Sequence, residues 1–135
     1  MTTERRRNAT DTVELTVPAD PAYLSVLRTV VASLAAQRDF TLDEIDDLRI
    51  AVDEAGALLL PHAGPGSKLS AVFGGSATSL RVEVAVTVQQ GGAGHQDRSS
   101  FAWLVLTALT DSVVLDESGQ RLSLVLTKTR GARDQ

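Results

Sequence analysis

Apolar and polar residues alternate strictly through Val13-Glu14-Leu15-Thr16-Val17. This is the period of two of a half-buried strand, and Pro18 closes the segment because it has no amide hydrogen for a sheet ladder. Asp20 before Pro21 makes an N-cap and first-turn pair, and Leu24, Leu27, Val31, Leu34 and Ala35 then recur at helical spacing. The spacing predicts a helix over 21–38. Thr41 and Glu44 stand in the T-x-x-E arrangement of a capping box, and Ile45, Leu48, Val52, Ala55 and Leu59 follow along one stripe. A second helix is predicted over 42–60, stopped by the turn chemistry of Pro61, Gly64, Pro65 and Gly66.

Leu69 to Phe73 and Leu80 to Val88 read as two strands of an antiparallel hairpin joined by Gly74-Gly75-Ser76, with Val82, Val84, Val86 and Val88 on one face. Gln89 to Ser99 is a glycine-rich polar loop, after which Ser99-Ser100 offers a hydroxyl to cap a short helix carrying Phe101, Leu104, Val105, Ala108 and Leu109. Val113-Val114-Leu115 and Leu122-Ser123-Leu124-Val125-Leu126 flank Asp116-Glu117-Ser118-Gly119 in a closing hairpin. The order strand, helix, helix, two strands, helix, two strands predicts an α+β fold: a two-layer sandwich with helices on one face of a mainly antiparallel sheet. The domain is expected over 12–129, between a mobile polar leader at 1–11 and a polar tail at 130–135.

Composition narrows the function. The 135 residues suffice for one hydrophobic core, and 43% hydrophobic with 22% charged residues is ordinary for a soluble globular chain. The formal net charge is −4, and basic residues cluster only at Arg5, Arg6 and Arg7 and at Lys128, Arg130 and Arg133, which disfavours direct nucleic-acid binding. The absence of cysteine excludes disulfides and thiolate metal sites, and His62 and His95 are too few for a histidine cluster. His62, beside Pro61, reads as a loop histidine. No apolar run approaches the roughly 20 residues of a membrane span, and the basic N-terminus lacks a signal-peptide core, so the expectation is a cytoplasmic protein with no membrane contact.

Chemistry concentrates in Leu48-Arg49-Ile50-Ala51-Val52-Asp53-Glu54-Ala55, which resembles the start of the N box of GHKL ATPases, a helix carrying E-x-x-x-N. Phe101 to Asp111 resembles the helix after the ATP lid, and the element order is similar to that fold over nearly the whole chain. The family resemblance is to anti-sigma factors of the RsbW and SpoIIAB type, built on the Bergerat (GHKL, histidine kinase-like ATPase) sandwich. In the N box a carboxylate one turn before an amide places both on one helix face, the first to orient a nucleophile and the second to ligate Mg²⁺. Glu54 takes the carboxylate place, as a vestigial general base or as one solvated acid in the run Asp43, Glu44, Asp46, Asp47, Asp53, Glu54 that a helix N-terminus favours. The amide place falls on Leu58, which has no oxygen to offer.

The family's D-x-G-x-G loop finds its nearest match in Gln90-Gly91-Gly92-Ala93-Gly94. Gln90, Gly92 and Gly94 are either remnants of an adenine site or parts of a flexible loop; Gln90 still accepts a hydrogen bond in the aspartate's place. The G-x-G-F lid aligns with Ser100, Phe101, Ala102 and Trp103, whose side chains at the glycine positions hinder close approach of backbone to phosphate. Trp103 reads as a core or helix-packing residue. Arg28 is either surface charge or a counterpart of the arginine that related anti-sigma factors present to sigma factor and antagonist. The resemblance thus implies a homodimeric anti-sigma factor. It would sequester an alternative sigma factor and be released by a STAS-domain antagonist, with no cofactor expected and ATP–Mg binding weak or absent. An active serine kinase of the same type and a ligand-sensing module are the alternatives.

Overall fold

The computed structural model describes residues 11–88 and 100–132. Five strands form one antiparallel sheet in the order β1-β2-β3-β5-β4, with β1 at Val13–Pro18, β2 at Lys68–Gly75, β3 at Ser79–Thr87, β4 at Ser112–Ser118 and β5 at Arg121–Thr129. Three α-helices are described: α1 at Leu24–Gln37, α2 at Leu42–Leu59 and α3 at Phe101–Leu109. This is the expected α+β sandwich. The proline at the end of β1 is tolerated because β1 is an edge strand, where a missing amide donor leaves no neighbour unpaired.

Register fixes which face is covered. Phe73 pairs with Val82 and Val82 with Leu126; Ala71 pairs with Val84 and Val84 with Leu124; Leu69 pairs with Val86 and Val86 with Leu122. These rows point to one side, where they merge with Leu27, Val31, Leu48, Val52, Leu59 and Leu106 of the helices in a single buried cluster. The other face carries polar rows, including Glu83 with Arg121 at 2.9 Å and Arg81 at 3.8 Å. A slip of one residue in any strand would exchange the two sets, so burial enforces the register.

The helical hairpin departs from the predicted limits for local reasons. Residues Pro21–Tyr23 form a 3-10 turn, and Asp20 caps it by accepting from the amide of Ala22 at 2.8 Å, so the α-helix itself begins at Leu24. The capping box on α2 is complete: Thr41 Oγ1 accepts from the Glu44 amide at 3.1 Å, and Glu44 Oε1 accepts from the Thr41 amide at 2.7 Å. Beyond Leu59 a second 3-10 turn, Leu60–His62, takes up His62. Gly74 and Gly75, expected in the first hairpin turn, belong to β2 and pair with Arg81 and Leu80, and the chain reverses over 76–78. Gly75 sits at φ +124°, where an added Cβ would lie 2.5 Å from the carbonyl oxygen of Ser79.

The start of the polar tail, at Arg130 and Gly131, is also tied down. Strand β5 runs on to Thr129, the Arg130 amide donates to Thr78 O at 2.8 Å, and the Gly131 amide donates to Glu44 Oε2 at 2.7 Å.

Arg38 joins the helical layer to the sheet. It is 5% exposed, and its Nε donates to the carbonyls of Ser76 and Ser79 at 2.9 and 3.0 Å while Nη1 donates to Leu34 O at 3.0 Å. A guanidinium suits this place because its fixed fork can satisfy several carbonyls at once. Arg38→Met is expected to lower unfolding free energy by about 2–4 kcal/mol, since it strands buried acceptors. Gly75→Ala should cost about 1–3 kcal/mol through its left-handed φ. Urea denaturation of both variants, with Gly119→Ala as the less crowded positive-φ comparison, checks these values.

Candidate functional site

Helix α2 lies between the other two helices, and its period of about 3.6 residues divides its non-core residues into two flanks. Arg49, Asp53, Gly56 and Leu60 share the flank that meets α1. Asp47, Glu54 and Leu58 share the opposite flank, toward α3. The neighbouring acids Asp53 and Glu54 therefore serve different surfaces, although they read as one run in the sequence.

On the α1 flank, Arg28 reaches from α1 to Asp53, with Nη1 at 2.6 Å from Oδ1. The two side chains are 35% and 41% exposed. A pair this wet contributes about 0–1 kcal/mol to stability, so its main effect is to fix where the guanidinium lies. Arg49 stands beside it, paired to Asp46 at 3.5 Å. Arg28, Asp46, Arg49, Ile50 and Asp53 surround an open hollow of about 350 Å³. The arginine singled out in the sequence thus has a fixed partner, and Arg49 joins it at the same hollow. The spacing of Arg49 and Asp53 by one turn was a visible signal for this, but the identity of the facing helix was not.

Along the other flank, Lys128 of β5 lies 3.7 Å from Asp47 and donates to Leu109 O at 2.9 Å, which anchors the C-terminal end of α3. Further along, Glu54 is half-buried and Leu58 packs against the core. The two lie one turn apart as the N-box comparison requires, but Leu58 supplies a hydrocarbon side chain where an oxygen donor is needed. Among the described residues no group of three or more histidines, cysteines or acids is placed to hold a metal ion. The donor set at Glu54 and Leu58 does not fit magnesium.

Ser100 caps α3: its hydroxyl accepts from the Trp103 amide at 3.2 Å. Its backbone, at φ −65° and ψ 161°, is extended and open to any residue, so no glycine is required there. The hydroxyl and the first turn are thus engaged with each other. Trp103 is half-buried and packs against the core, in line with its expected packing role, whereas Phe101 and Leu104 are exposed. Gln90, Gly92 and Gly94 lie outside the described residues.

A five-stranded antiparallel sheet backed by helices, the central one carrying an acid at an N-box position, defines an ATPase-like domain of the GHKL type. Residues 17–128 match the model of the histidine kinase-like ATPase domain, and the chain belongs to that family. It is 32% identical to the anti-sigma-F factor RsbW of Mycobacterium tuberculosis (strain CDC 1551 / Oshkosh) across 96% of this chain and 80% of that protein. It is 40% identical to the serine-protein kinase RsbW of Bacillus subtilis (strain 168) over 42% of this chain and 36% of that protein. In shape it is similar to a crystal structure of RsbU and RsbW domains from Mycobacterium tuberculosis, with a TM-score of 0.70, 16% identity, and coverage of 92% of this chain and 34% of that one. The last likeness concerns the fold alone.

If the Ser100 hydroxyl is occupied in capping, Ser100→Ala should cost about 1 kcal/mol of stability and Ser100→Gly only a few tenths. Equilibrium urea unfolding followed by Trp103 fluorescence reads both, and equal loss in the two variants would contradict the capping role.

Proposed function

We propose that this protein is an anti-sigma factor that sequesters an alternative sigma factor on α1 and the adjoining surface of α2, with Arg28 in the contact. Held there, the sigma factor is blocked from core RNA polymerase, and transcription from its promoters stops. A STAS-domain antagonist competes for an overlapping surface and frees it. The switch is then set by differences in affinity and partner concentration, since a competitor shifts an equilibrium only by its own binding free energy. The protein acts as a homodimer in the cytoplasm.

The observation that carries this reading is the similarity to a protein named anti-sigma-F factor along 96% of the chain. It gains support from Arg28, which is held at the α1–α2 seam yet one-third exposed. An arginine so held has lost part of its rotamer freedom before any partner arrives, which reduces the entropy cost of a bidentate contact.

Binding of ATP and magnesium is proposed to be weak or absent. Leu58 replaces the metal-ligating amide, and the Ser100 hydroxyl is engaged with its own helix. Release then needs no phosphorylation of the antagonist. The competing reading, an ATP-dependent kinase that phosphorylates a serine of its antagonist, draws on the relatives named serine-protein kinase and on the half-buried carboxylate of Glu54.

Two measurements separate these readings. Titration calorimetry with Mg-ATP, followed by radiolabel transfer to the cognate antagonist, should give no micromolar binding and no labelled serine; finding both establishes the kinase. Arg28→Glu should weaken sigma-factor binding by about 2–5 kcal/mol, through repulsion and an unpaired group on the partner. Glu54→Ala should leave that affinity nearly unchanged. Undiminished binding by Arg28→Glu removes Arg28 from the contact.

A further inference from the structure

Helix α3 carries no charged side chain from Phe101 to Leu109, whereas α1 and α2 both carry charges. Phe101, 77% exposed, and Leu104, 58% exposed, stand one turn apart, and Ala108 follows at the next turn, also exposed. Spacings of three and four residues put these side chains on one face of the helix, turned away from the buried Leu106. Other large apolar side chains that reach solvent stand among charges: Leu42 beside Asp43, Ile50 with Asp46, Arg49 and Asp53, and Val114 close to Asp116. A contiguous apolar stripe without such neighbours marks a contact surface.

Charge narrows the occupant. The stripe offers no ionic partner, so a protein that brought charged groups to it would leave them unmatched. Asp47 and Glu54 on the neighbouring flank of α2, together with the net charge of −4, repel an anionic lipid surface. A second copy of α3 meets neither obstacle. Shape favours it as well, because the stripe has its largest side chain at one end and its smallest at the other. With the two helices antiparallel about a two-fold axis through the middle of the stripe, Phe101 lies over Ala108 of the partner subunit, and Leu104 meets Leu104 of the partner subunit near the axis. Large then faces small at both ends, and the opposed helix dipoles attract.

We infer that the exposed face of α3 is where two copies of this chain meet, antiparallel, with Leu104 close to the axis. The inference rests on the homodimer reading and names its surface. Phe101 and Leu104 from both copies remove on the order of 500 Å² from water, below the roughly 1,200 Å² at which stable interfaces begin, so the dimer is weak and exchanges with monomer. Helix α3 lies across α2 from α1, and the contact therefore leaves Arg28 uncovered.

The chain has no cysteine, which allows a direct test. Leu104→Cys places a single thiol near the proposed axis, and Leu42→Cys places one at an equally accessible position at the start of α2. Both would be oxidised with copper phenanthroline and read on non-reducing gels. Sedimentation velocity from micromolar to millimolar protein would compare wild type with Leu104→Glu, which sets two carboxylates against each other across the axis, and thermal unfolding would confirm that each variant is folded. The expected result is a concentration-dependent wild-type dimer, at least tenfold weaker association in Leu104→Glu, and a disulfide-linked dimer that forms faster in Leu104→Cys than in Leu42→Cys. If the dimer persists undiminished in Leu104→Glu, or Leu104→Cys links no faster than Leu42→Cys, the α3 surface is overturned and the homodimer reading stands. A wild-type protein that stays monomeric at millimolar concentration overturns both.

Discussion

The structure depends on the burial of one stripe of α2. Leu48, Ala51, Val52, Ala55 and Leu59 are fully inaccessible, and they sit against a sheet whose facing rows are also closed to water. At about 25 cal/mol per Å² of apolar surface, this contact outweighs any single polar interaction in the molecule. Because that stripe must face the sheet, the helical period leaves no choice about the flanks. Asp53 goes to the seam with α1, and Glu54 goes toward α3. Two acids adjacent in sequence thereby face two surfaces: the α2–α3 side, where the N-box position lies, and the α1–α2 side proposed here to hold a partner.

The same constraint accounts for Leu58 and for the two ends of α3. Leu58 packs against the core from the position that an amide would otherwise hold toward a metal. Ser100 starts α3 with an ordinary side-chain cap, and Lys128 holds the other end through Leu109. Leu58 serves packing, and Ser100 and Lys128 serve the two ends of α3.

The fold was legible in the sequence because its signals are periodic and strong: alternating valines in β3, a complete capping box on α2, and a hydroxyl before α3. The limits that moved did so where polar residues continue a ladder. Gly74 and Gly75 read as turn residues, but their pairing with Arg81 and Leu80 extends the hairpin, and a positive φ at Gly75 shapes the bend into the turn. Lys128 and Thr129 lie beyond the predicted strand Leu122 to Leu126, yet β5 runs on through both, and Lys128 holds the end of α3 from within it. The candidate site was legible residue by residue and illegible as an arrangement. Arg28 and Glu54 stood out singly, but the partner of Arg28 is on another helix, and Asp53 read only as one member of the acidic run that also holds Glu54. Gly56 gave no signal of its own, since a glycine in a helix shows its purpose only when Leu24 is seen lying against it.

We propose that partner binding belongs to the α1–α2 seam and that the α2–α3 side does not bind nucleotide. Amide hydrogen exchange, followed by mass spectrometry on the intact protein with and without its sigma factor and with and without Mg-ATP, tests both halves together. The account predicts slowed exchange across 21–32 and 46–61 when the sigma factor is added, and no change anywhere with Mg-ATP. Protection by Mg-ATP at 54–58 and 100–109, with the seam unaffected by the sigma factor, would contradict it.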